Sequence, residues 1–170
     1  MVKNIIWAVV FIIIAGILQS TLIARLAFFF RVKTIPDIAL CILVFSAYQN
    51  GMMTGQVTGF VSGLFLDFLS QSPLGLNIFV RTVIGALTGV IRGNLILDAV
   101  FLPIGLCAAA TLLKAVLLFF LHFLFAGAVN AYEWSGPALW IELALNAALA
   151  PFLFDFLKKF GILLERKREV

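Results

Sequence analysis

Runs of about twenty apolar residues recur along this chain with almost nothing charged inside them. Residues 4–24 are the first such run, and 100–126 is a longer one broken only by Lys114 and His122. Hydrophobic residues make up 64% of the sequence and charged ones 12%, where a soluble domain carries roughly 25% charge. Too few polar groups exist to cover a water-facing surface, so the solvent implied is lipid and the fold class is an all-α polytopic membrane protein. The two cysteines, Cys41 and Cys107, lie within apolar runs and read as small core residues rather than a disulfide or metal pair.

Turn and charge signals divide the chain into six transmembrane spans at about 4–24, 32–48, 51–70, 76–92, 100–127 and 137–157. The first, with Trp7 near one interface, is too long for a signal-peptide core and reads as uncleaved. Pro36 and Asp37 suit a helix start, where proline is tolerated and an acid complements the dipole. Taken as one helix, residues 38–70 would be about 50 Å long against a bilayer core of about 30 Å. The polar break Tyr48-Gln49-Asn50-Gly51 therefore separates the second span from the third. Ser72-Pro73-Leu74-Gly75 is a turn, and residues 158–170 form a basic tail for a membrane surface.

Six spans put both termini on one side. If that side is cytoplasmic, it holds Lys3, Arg92, Lys158, Lys159, Arg166, Lys167 and Arg168, against Arg25, Arg31 and Lys33 opposite. A five-span arrangement suits the first loop better but needs one overlong element over 38–70.

Between the break and the turn, glycine stands at every fourth position, Gly51, Gly55, Gly59 and Gly63, and the next step is Asp67. The following span repeats the spacing with Gly85, Gly89 and Gly93, extended backwards by Arg81 and Asn77. Helices in lipid associate by close packing and hydrogen bonding, and such glycine ridges let two backbones approach. Counted from the turn, Gly59–Gly63 and Gly85–Gly89 fall at one depth. Asp67 and Arg81 then meet further out, which predicts an ion pair; the plainer alternative is that Asp67 caps the turn or the next helix.

Lys114 and His122 in the fifth span face Glu142 and Asn146 in the sixth. Antiparallel counting brings His122 level with Glu142 and lets Lys114 reach Asn146 or Glu142. An internal polar clamp is the favoured reading over a proton relay. No catalytic constellation, zinc spacing or phosphate loop occurs, and no cofactor is implied. A basic tail adjoining a membrane meets anionic lipid or a cytoplasmic partner rather than nucleic acid.

LQSTL (18–22), PDIAL (36–40), GxxxGxxxGFxxGLxxD (51–67) and SPLGLN (72–77), in this order, resemble the MreD family of rod shape-determining membrane proteins. Where relatives often carry a basic residue between the second and third spans, this chain has Gln49-Asn50. The resemblance implies a non-catalytic bacterial inner-membrane protein whose fold is similar to the S component of energy-coupling-factor transporters. It also implies partners: the bitopic protein MreC, the MreB filament and, indirectly, RodA with its penicillin-binding transpeptidase. A scaffold for side-wall peptidoglycan synthesis follows. The alternative from fold kinship is a small-solute, vitamin-type binding subunit of such a transporter.

Overall fold

The structure, a computed structural model, describes residues 2–23, 34–70, 73–92, 100–125 and 136–159. Among them stand six α-helices: α1 (Val2–Leu18), α2 (Ile38–Asn50), α3 (Met52–Leu69), α4 (Leu76–Val90), α5 (Phe101–Leu124) and α6 (Pro137–Lys159). Three of these, α3, α5 and α6, are long and apolar enough to cross a membrane. The end of α1 loosens into a π-helical stretch, Gln19–Ile23. There the Ser20 and Thr21 hydroxyls both donate to the Ile17 carbonyl, at 3.1 and 2.6 Å, competing with the backbone for it.

α2 is the hub. Every residue from Ala39 to Ala47 is buried, so this short helix shows no lipid-facing stripe and is apolar all round. Asp37 caps its start, accepting the Leu40 amide at 3.0 Å. Gly51 ends it at a φ of 92°, a conformation open to glycine, and α3 begins at the next residue. α1 packs on α2 and α3, while Phe45 of α2 meets Phe154 of α6 edge to face, ring centres 4.9 Å apart. Outward surfaces are strongly apolar, with Phe123 80% and Phe152 76% exposed, as lipid contact requires.

α3 and α4 touch along nearly their whole length. A β-carbon built on Gly55 would fall on the Gly85 carbonyl, and one on Gly85 would fall on that of Gly55. Gly59 likewise meets the Arg81 carbonyl, Gly63 the Ile78 backbone and Gly89 that of Met52. The register is not the one counted from the sequence. Gly85 lies against Gly55 rather than level with Gly63, a shift of two helical turns. Counting assumed a symmetric turn. Instead α4 starts beside the last turns of α3, where Asp67 projects from α3 and accepts the first amides of the next helix.

Thr54, Thr58 and Ser62 line the same buried side of α3. Thr58 donates to the Thr54 carbonyl at 2.7 Å and lies 3.4 Å from the Ser46 hydroxyl of α2. Small hydroxyls thus fill the space beside the glycines without adding bulk.

Candidate functional site

Four charged side chains from four segments converge inside the bundle, at the end where α2, α4 and α6 begin. Asp37, the N-cap of α2, is at the centre. Arg81 of α4 places Nη2 between the two Asp37 carboxylate oxygens, 2.7 Å from each, and donates from Nη1 to Ser62 Oγ at 2.8 Å. Lys114 of α5 donates from Nζ to Asp37 Oδ2 at 3.0 Å and to Glu142 Oε1 of α6 at 2.7 Å. The formal charges cancel.

Neutral groups complete the network. Asn146 of α6 accepts the Asp37 backbone amide on Oδ1 at 2.8 Å and donates from Nδ2 to Thr111 Oγ1 at 3.0 Å. The Thr111 hydroxyl in turn donates to the Cys107 carbonyl at 2.8 Å. Asp37, Arg81, Glu142 and Asn146 are all buried, with Lys114 at 15% side-chain exposure. Ions removed from water remain tolerable only when paired and hydrogen-bonded, which is the arrangement found. Asp37 also sits at the start of α2, where the dipole favours negative charge.

The pair expected between Asp67 and Arg81 is replaced by two separate arrangements. Arg81 bonds Asp37 and Ser62. Asp67 accepts the amides of Gly75 at 2.8 Å, Asn77 at 3.0 Å and Ile78 at 3.4 Å, together with Asn77 Nδ2 at 2.8 Å. It therefore caps α4, satisfying donors a helix start leaves open. On the other side, Glu142 bonds Lys114, two turns before His122, which is exposed in the last turn of α5. Lys114 reaches Glu142 directly, and Asn146 takes the Asp37 amide instead.

The ladder residues Gly55, Gly59, Gly63, Gly85 and Gly89 all stand in the α3–α4 seam, and Gly51 packs beside the Arg92 side chain. Lys158 is half-buried, and Lys159 is exposed with Asp155 2.9 Å away. Gly93, Arg166, Lys167 and Arg168 lie outside the described residues. Sequence reasoning read Asp37 only as a helix start and missed it as the common anion. A signal was present: Asp37, Arg81 and Glu142 all fall within the first two turns of helices that must run parallel.

Among the described residues, no three of His, Cys, Asp and Glu converge as a metal would require. A groove of about 290 Å³ between α2 and α6 is lined only by Ile38, Cys41, Leu149, Phe152, Leu153 and Phe156. What the charged site can do chemically is join helices, because its polar atoms are engaged with one another.

No curated protein and no solved structure matches the chain. The family model of the rod shape-determining protein MreD, however, matches residues 1–160, nearly the whole sequence, and the chain belongs to that family.

Proposed function

We propose that this protein is a non-catalytic scaffold of the cell-elongation machinery in the bacterial inner membrane, with both termini cytoplasmic. It holds an MreC-type bitopic partner and so supports side-wall peptidoglycan synthesis by RodA and its transpeptidase along the MreB filament. Family membership supports a role in rod shape determination. The observation that carries the scaffold reading is the Asp37–Arg81–Lys114–Glu142 cluster, in which each charge is bonded to another part of the fold. A solute-binding subunit would aim such groups into a pocket. Here they are spent on joining four helices.

The test is co-purification of the full chain from bacterial membranes in mild detergent. Recovery of a stoichiometric MreC-type protein is the expected result. A bound vitamin-like solute without that partner would overturn the proposal and favour the transporter alternative.

A further inference from the structure

The six helices are not joined equally. α1 packs on α2 and α3, and α3 and α4 share the glycine seam, so α1–α4 form one body. α5 and α6 pack on each other but meet that body more sparsely. An apolar groove of about 290 Å³, open at the outer surface, runs along the α2–α6 boundary, with Phe152 and Phe156 exposed on its rim. Pro151, beside the groove-lining Leu149 and Phe152, removes one backbone hydrogen bond from α6 at that level.

What spans the boundary is polar at the end where α2 and α6 begin and apolar beyond it, where Phe45 of α2 meets Phe154 of α6. Lys114 on α5 and Asn146 on α6 both bond Asp37, one to its carboxylate and one to its backbone amide. Behind this pair lies the apolar part of the boundary, Cys41 on α2 and Cys107 on α5, each 1% exposed and within one buried cluster.

We propose that α5 and α6 form a hinged pair latched to the α1–α4 body through Asp37, and that release of Lys114 and Asn146 opens the boundary and uncovers Cys41 and Cys107. The glycine seam cannot part in the same way. Its backbones touch along several turns, so separation there amounts to unfolding. The scaffold thus has one rigid seam and one that can open, which gives a membrane partner on α5 or α6 a means to change its shape.

The two native cysteines report directly on the latch. The probe is a thiol-reactive maleimide dye applied to the full-length protein in detergent micelles below its melting temperature. The double variant Lys114→Met/Glu142→Gln removes one cation and one anion together, so the cluster stays neutral and Asp37–Arg81 stays paired. Its thiols are expected to react about tenfold faster or more than those of the unaltered protein, at unchanged helical ellipticity. Tenfold corresponds to about 1.4 kcal/mol in the opening equilibrium. Ser62→Ala, which removes a bond within the body, is expected to change the rate by no more than about twofold. Equal rates for the double variant and Ser62→Ala would overturn the latch. The unaltered protein gives a second reading independent of either variant. Its thiols should react through an opening that precedes loss of ellipticity on heating, and reaction strictly in step with that loss would also refute the hinge.

Discussion

Asp37 is the carboxylate that pairs with Arg81, and it shares Lys114 with Glu142. Removing Asp37 leaves the buried Arg81 charge without its carboxylate, while Lys114 keeps Glu142. Asp37→Ala is expected to destabilise the fold by about 3–5 kcal/mol, the usual cost of breaking one side of a buried pair. Asp67→Ala should cost less, about 1–3 kcal/mol, because it strands amide donors rather than charges. Both can be read from denaturant unfolding in mixed micelles, and a larger loss for Asp67 would reverse the roles assigned here. Glu142→Ala should lower the yield of folded protein more than His122→Ala, since Glu142 is buried against Lys114 and His122 lies at the exposed end of α5. A yield for Glu142→Ala equal to that of the unaltered protein would show that the Lys114–Glu142 bond contributes nothing of its own. The sequence pointed to these residue types as polar and intramembrane, but not to who bonds whom. Partner choice depends on rotations and depths of helices that are far apart in the chain.

At the scale of elements, the glycines separate into those a neighbour occupies and those it does not. Gly85 faces the Gly55 carbonyl within the volume a methyl would need, whereas a β-carbon on Gly105 of α5 would meet nothing within 4 Å. Gly85→Ala should therefore force α3 and α4 apart and destabilise by about 1–3 kcal/mol or more. Gly105→Ala should be neutral or stabilising by about 0.5–1 kcal/mol, because alanine is the better helix residue. Opposite shifts of the unfolding midpoint would bear this out, and equal ones would refute it. Leucine at Gly59 or Gly85 should abolish complementation of rod shape in cells that depend on the gene. Four-residue spacing was enough to identify two faces built for close approach. It was not enough to set their register, because α4 starts alongside the last turns of α3, where Asp67 accepts its first amides.

For the whole molecule, α3 and α4 are sealed by backbone contact, while α5 and α6 meet α2 through the Asp37 network and an apolar cluster that includes Phe45 and Phe154. At the C-terminal end the chain carries the basic run Arg166-Lys167-Arg168. Replacing Arg166, Lys167 and Arg168 together by glutamine should weaken membrane-surface or partner recruitment, seen as altered localisation of a fluorescent fusion; normal localisation would retire that role. The membrane class, the helical fold and the paired glycine ridges were determined by the sequence alone. They follow from local composition and spacing, which a chain carries wherever it folds. The central position of α2, the two-turn register shift and the meeting of Arg81 and Lys114 at Asp37 were decided only by tertiary structure. Each depends on how separate helices settle against one another, and a one-dimensional pattern does not record that distance.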